Sequence, residues 1–293
     1  MTTPTTAAST TAPPTPWPTL STTAAGVVVT PNGVVLPWLV DEGPGRFLAR
    51  SPCGAEVTVT GTRVPAAHVV LDPGHGGSES GAVGPGGLRE KDVNLVIAQE
   101  AKRRLEALGA TVVLTRTGDY RIPLSTRASI ATQVGPVLFV SIHHNADPDG
   151  PRDEPGAETY FQIAAPESRR AAGLVYEEVV RAFSAYDVAW VGDTDAGAKY
   201  RPAGDGGDYY GILRRTAGVP AVLLEAAFIS NPPEEQLLAD PGFQAAEAEA
   251  ITRAAVRFAT TSDPGSGFVE PYPRTQPAGP GGGSAGCVDP PLG

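Results

Sequence analysis

The chain has 293 residues, enough for one full-sized domain with smaller attachments. Its 22 Lys and Arg against 32 Asp and Glu leave a formal charge of −10, without the basic footprint that neutralises phosphates, which argues against a nucleic-acid partner. No apolar run approaches the roughly 18 residues of a spanning helix, and the first 40 residues hold no Lys or Arg to begin a signal peptide.

Residues 1–24 are Thr/Ala/Pro-rich, a composition that cannot bury enough surface to offset its ordering entropy, and they read as an extended, disordered linker. Tracts of this kind often follow an anchor or a cleaved leader, so the chain reads as an exported protein whose leader is missing or whose start is misassigned. Over residues 25–62, short β-rich runs alternate with the turn signals Pro-Asn-Gly (31–33) and Pro-Cys-Gly (52–54). They predict a small module of two β-hairpins. A unit this small is marginal alone and is expected to pack on the rest of the chain.

From 67 to 260 the pattern becomes strand runs alternating with helical periodicity. The strands are HVVLD (68–72), TVVLT (111–115), VLFVSI (137–142), AETYF (157–161) and AVLLE (221–225). Several are apolar on both faces, as parallel strands between helix layers are. The clearest helix is 91–108, where Val93, Ile97, Ala101, Leu105 and Leu108 form one stripe before Gly109 supplies a stop; others are expected near 124–133, 167–184 and 242–258. The fold class is therefore α/β, a mostly parallel sheet flanked by helices. Residues 261–293 form a Gly/Pro-rich tail expected to lack regular structure. Cys53 and Cys287 are too few and too far apart for a metal cluster. In an exported protein they can pair, tying the tail to the N-terminal region, or remain two free thiols.

The chain has four histidines, His68, His75, His143 and His144. Ligands of open α/β sheets sit beyond the carboxyl ends of the strands, and three of those ends carry His75, His143 and Glu225. Glu90 stands at the entry of the clearest helix, where the helix N-terminus holds a carboxylate. Two imidazoles and one carboxylate are a usual ligand set for catalytic Zn²⁺, with a fourth position left for water; a second carboxylate is then available as base. Taken singly, His75 can be a turn residue and Glu90 an ordinary dipole-compensating residue. Glu225, after four apolar residues, needs a partner. His144 should face away from His143 and read either as support behind the site or as solvent-facing, and His68, opening its strand, as structural.

The segments VVLDPGHGG, GPGGLREKDVNL, VVLTRTGDYRIPLSTRASIA, LFVSIHHNAD, GAETYF and LRRTAGVPAVLLEAAFISNPPEEQLL resemble, in order, the blocks of zinc-dependent N-acetylmuramoyl-L-alanine amidases of the amidase-3 type. The resemblance spans about residues 67–258. It implies that His75, Glu90 and His143 bind Zn²⁺ and that Glu225 is the catalytic carboxylate. It further implies a twisted, mostly parallel sheet and cleavage of the amide between N-acetylmuramic acid and the L-alanine of the stem peptide, in peptidoglycan or muropeptides, outside the cytoplasmic membrane. Two positions depart from the pattern: Ser78-Glu79-Ser80 stands where an Asp-Pro pair is common, and Ala226-Ala227 where a glycine is. Some relatives carry an inserted helix over the zinc; the stretch between His143 and Glu225 is short and broken by glycines over 197–211, so an open site is expected. Arg116, Arg127, Glu158 and Arg214 read as salt bridges or loop anchors at least as readily as substrate contacts. The alternatives are a wall-binding scaffold with a defunct site, or a zinc hydrolase of another amide. The protein is read as a monomer.

Overall fold

The computed structural model describes residues 17–21, 23–147, 156–186, 196–270 and 286–293; most of the expected linker over 1–24 and residues 271–285 of the tail lie outside these. The N-terminal module holds β1 (Val27–Val29), β2 (Val35–Gly43), β3 (Arg46–Arg50), β4 (Glu56–Thr60) and β5 (Thr62–Val64). They form one antiparallel sheet in the order β4-β3-β2-β1-β5. The two expected hairpins are present, and β5 folds back onto β1, which sequence alternation over three residues does not announce. The module packs on the main domain as expected. Val27 and Val35 share a core cluster with Ile130 and Val134, and Gly26 N donates to Gln133 O at 2.8 Å.

The main domain follows with β6 (Val69–Pro73), α1 (Glu90–Ala107), β7 (Val112–Leu114), α2 (Leu124–Val134), β8 (Leu138–Asn145), β9 (Glu158–Phe161) and α3 (Pro166–Phe183). It continues with β10 (Gly197–Lys199), α4 (Gly211–Arg215), β11 (Ala221–Phe228), α5 (Pro232–Leu238) and α6 (Pro241–Thr260). Its sheet runs β10-β9-β11-β8-β6-β7. β6, β7, β8 and β11 are mutually parallel, while β9 pairs antiparallel with β11, so the sheet is mixed. The chain reverses between β8 and β9, whereas α3 supplies the crossover that makes β10 parallel to β9.

Alternation along each strand divides the core. Val69, Leu71, Val140 and Leu224 face α1, α3 and α6; Val70, Phe139 and Leu223 face α2, α4 and the N-terminal module. On α1 the stripe Val93, Ile97, Ala101 and Leu105 is buried, but Leu108 is 41% exposed. The helix has ended by then, and Gly109, at φ +83°, turns the chain away. Part of the tail is also more ordered than its composition suggests. Ala198 N donates to Gly267 O and Val269 N to Ala198 O, covering the free edge of β10 while Phe268 packs against the core.

Candidate metal centre

The run VVLDP is buried throughout and delivers the chain to the sheet's carboxyl edge, where it turns sharply. His75 takes φ +60°, the only positive φ at a non-glycine among the described residues. Such a posture costs about 1–3 kcal/mol and persists only where its surroundings over-determine it. Two buried arginines supply that constraint. Arg127 donates to Pro73 O at 2.7 Å and to His75 O at 2.5 Å while pairing with Asp72 at 2.7 Å; Arg116 donates to Pro73 O at 2.9 Å and Gly74 O at 2.8 Å. Burial alone would raise the Asp72 carboxyl, but Arg127 and the hydroxyls of Thr115 and Ser141 hold it below its ordinary range. Arg116 and Arg127 are thus anchors of the histidine loop.

Glu90 is the first residue of α1 and is buried, with the positive end of the helix dipole beneath it. Its Oε1 accepts from His144 N and Asn94 Nδ2, both at 3.2 Å, and lies 2.9 Å from His143 Nδ1. Its Oε2 accepts from Ala82 N at 2.9 Å and lies 3.1 Å from His75 Nε2. Burial would raise the carboxyl, yet hydrogen bonds with His143 and then His75 keep it well below the carboxylate norm. Burial lowers the His143 imidazole, favouring the neutral form that ligates metals.

One donor atom each from His75, Glu90 and His143 lie within 4.8 Å of one another. Tetrahedral coordination at about 2.0–2.2 Å puts donors about 3.3–3.6 Å apart, so closing on an ion asks only for small side-chain movements. Two neutral-capable imidazoles and one anionic carboxylate fit a divalent metal in donor chemistry as well as in spacing. The imidazole side chains of His75 and His143 are 31% and 18% exposed. A cavity of about 190 Å³ lined by His75, His143, Glu79, Ile122 and Leu124 adjoins them. Residues 148–155 and 187–195, within the stretch expected to leave the site open, lie outside the described residues.

Glu225 on β11 is the register partner of His143 on β8 and of Glu158 on β9, so all three side chains share one face of the sheet. Tyr210 abuts this row. Its hydroxyl is pushed up to about 12, by burial first and then by the negative charge of Glu225. Glu158 is buried and committed, accepting from Lys199 Nζ, Asn145 Nδ2 and Tyr160 Oη, each at 2.8 Å. Arg214 is a loop anchor, donating to the carbonyls of Asp208 and Tyr209. His144 points to the opposite face from His143 and is 1% exposed, so it is not solvent-facing. His68 is structural, accepting from Thr111 N at 2.8 Å. Lys199 and Tyr210 escaped the sequence reading; the three residues of β10 and five of α4 carry no period long enough to betray an element.

The fold is a mixed α/β sheet that gathers two imidazoles and a carboxylate, a set that could hold a metal ion, at its carboxyl edge, with a further carboxylate opposite one imidazole. A family model described as N-acetylmuramoyl-L-alanine amidase matches residues 69–257, and the chain belongs to that family. It is 32% identical to the N-acetylmuramoyl-L-alanine amidase AmiC of Neisseria meningitidis serogroup B, over 66% of this chain and 53% of the relative. It is 30% identical to the germination-specific N-acetylmuramoyl-L-alanine amidase of Bacillus subtilis, over 66% of this chain and 79% of that protein. The chain thus spans about half of the first relative's length and more of the second. Among solved structures, AmiC2 of Nostoc punctiforme aligns with a TM-score of 0.55 at 33% identity, covering 65% of this chain and 95% of that one. An amidase from Clostridium difficile 630 aligns at 0.57 and 30%, covering 67% and 97%.

Proposed function

We propose that the protein is a zinc-dependent hydrolase of the amide between N-acetylmuramic acid and the L-alanine of the stem peptide, acting on peptidoglycan outside the cytoplasmic membrane. Residues 67–260 are the catalytic unit in this reading, and His75, Glu90 and His143 would hold the metal. The observation that carries it is the convergence of those three side chains, from a strand end, a helix start and a second strand, beside Glu225. Among the described residues no helix is long and apolar enough to cross a membrane. The N-terminal module and the tail are attachments to the catalytic unit, and a monomer suffices for the site because all four side chains come from one chain.

A bound divalent metal supplies Lewis acidity, polarising the scissile carbonyl and lowering the pKa of water towards neutrality. The chain's own residues supply the rest. His75 and His143 would present ring nitrogens to the metal; Glu90, clamped by Ala82 N, Asn94 and His144 N, contributes a fixed anionic donor. Glu225 takes the proton of the attacking water and hands it to the departing alanine nitrogen. The C–N bond breaks, the water oxygen stays on the lactyl carbonyl carbon, and a carboxylate and an amine result.

The test is digestion of intact sacculi by the full chain, with metal content measured on the same sample. Release of L-alanine amino termini and lactyl carboxylates, abolished by chelation and restored by zinc, is the expected result. Cleavage at another bond, or cleavage indifferent to the chelator, overturns the reading.

A further inference from the structure

Behind the metal centre, on the opposite face of the sheet, lies a second set of polar groups that the reaction does not use. His144 and Glu247 both have side chains 0% exposed, and they pair through His144 Nε2 and Glu247 Oε2 at 3.1 Å. Glu247 sits in α6 beside Ala248, Ala250 and Ile251, all in the largest apolar cluster. A buried ion pair is weak evidence for stability, since well-packed apolar residues of similar volume serve as well or better. The second oxygen of Glu247, Oε1, is buried without a hydrogen-bond partner, so this carboxylate is committed to His144. Stability therefore does not account for the pair.

Its other contacts do. His144 Nδ1 lies 2.8 Å from Asn94 Oδ1, and Asn94 Nδ2 donates to Glu90 Oε1 at 3.2 Å and reaches Gly74 O at 3.4 Å. A carbonyl and a carboxylate only accept, so the amide nitrogen of Asn94 must face them and its oxygen must face His144. Nδ1 of His144 is then the donor. Glu247 Oε2, 3.1 Å from the far nitrogen, fixes the orientation of the ring. We propose that Asn94, His144 and Glu247 are positioning residues, a relay from α6 through β8 to α1 that fixes Glu90 in its metal-binding orientation. The inference rests on the metal-centre reading above. Removing supports that orient metal ligands lowers metal affinity about 10–100-fold.

The experiment is zinc affinity by competition with a chromophoric chelator, together with the cobalt(II) absorption spectrum and the melting temperature of metal-free protein, all on the full chain. The double substitution His144→Leu with Glu247→Leu replaces the pair by apolar side chains; it is expected to keep the metal-free melting temperature while weakening zinc about 10–100-fold and altering the cobalt spectrum. Glu247→Gln is expected to stay within about threefold of wild type, because its amide can donate to His144 Nε2 and leave Nδ1 bonded to Asn94. Should the double variant not fold, Asn94→Ser cuts the relay at one link with the ion pair intact, and carries the same expectation for zinc and cobalt. Wild-type affinity and spectrum in the relay-cutting variant overturn the relay alone, as does a Glu247→Gln variant that binds as weakly as the cut one. A wild-type protein that binds no zinc overturns the metal-centre reading, and the relay falls with it.

Discussion

The glycine before His75 is where backbone and site chemistry meet most tightly. A Cβ on Gly74 would fall 2.2 Å from His143 Cε1, which no real contact allows, so one of the two must move. Gly74→Ala should therefore displace the His143 ring and weaken zinc, whereas Gly204→Ala, with nothing within 4 Å of its Cβ, should not. Chelator competition on the two variants checks this; equal affinities would mean that His143 is not a ligand. Glu225 should behave differently. Glu225→Gln keeps the shape but removes the base, so zinc content should hold while muropeptide turnover drops about 10²–10⁴-fold. Loss of zinc in that variant would move Glu225 from base to ligand. The four proposed site residues could be singled out in the sequence because each stands at the carboxyl end of an apolar run or opens a helix, and the structure brings His75, Glu90 and His143 together. Arg116 and Arg127 could be read as loop anchors or salt bridges, but their carbonyl partners could not, and Asn94 was missed because its partners, Glu90, His144 and Gly74, come near only in the folded chain.

Among the elements, the long periodic helices and the apolar strand runs, even the short β7 and β9, were readable. α1 and α6 were located within two residues of their ends, while β10 and α4 passed unnoticed and the reversed direction of β9 could not be inferred from a buried four-residue run. α5 also escaped, and it contains an unusual carboxyl. Glu234, in its first turn, is fully buried, and its Oε2 accepts from Phe228 N at 2.6 Å, bracing the corner where β11 ends. Burial pushes this group from the ordinary 4.5 up to about 8, the backbone bond only partly opposing it. A folded pKa above the unfolded one means that the native state binds more protons across the interval between them. The contribution is complete below about 4.5 and lost as pH rises through about 8. Glu234→Gln preserves the acceptor for Phe228 N and cannot ionise. Melting temperatures measured from about pH 5 to about pH 9 should diverge, the wild type falling relative to the variant with rising pH. Parallel curves would show that Glu234 does not titrate differently in the two states.

Over the molecule as a whole, the last described residues are bonded to the N-terminal module. Pairing of the two cysteines could be entertained from the sequence but not decided, because 234 residues separate them and the approach of their α-carbons is a property of the fold. In the structure Cys53 and Cys287 are bonded, and the last residues run across the N-terminal module as a strap. Cys53 N donates to Asp289 Oδ1 at 2.7 Å, Asn32 Nδ2 to Pro291 O at 3.2 Å, and Leu292 packs on the module's own cluster. The strap also touches the wall of the metal centre: Cys287 Sγ lies 3.7 Å from Arg121 O, and Arg121 pairs at 2.7 Å with Glu79, which lines the cavity beside His75. A crosslink across so long a loop removes about 5 kcal/mol of chain entropy from the unfolded state in the simplest model. For a protein of this size each kcal/mol moves the melting temperature by about 2–4 °C, so incomplete realisation still predicts a drop of about 5–10 °C on reduction. Thermal melts of the full chain with and without a dithiol, matched by Cys53→Ser with Cys287→Ser, measure it. If neither treatment moves the transition, the strap detaches before the domain unfolds, and the bond guards only the local seat of the tail on the module.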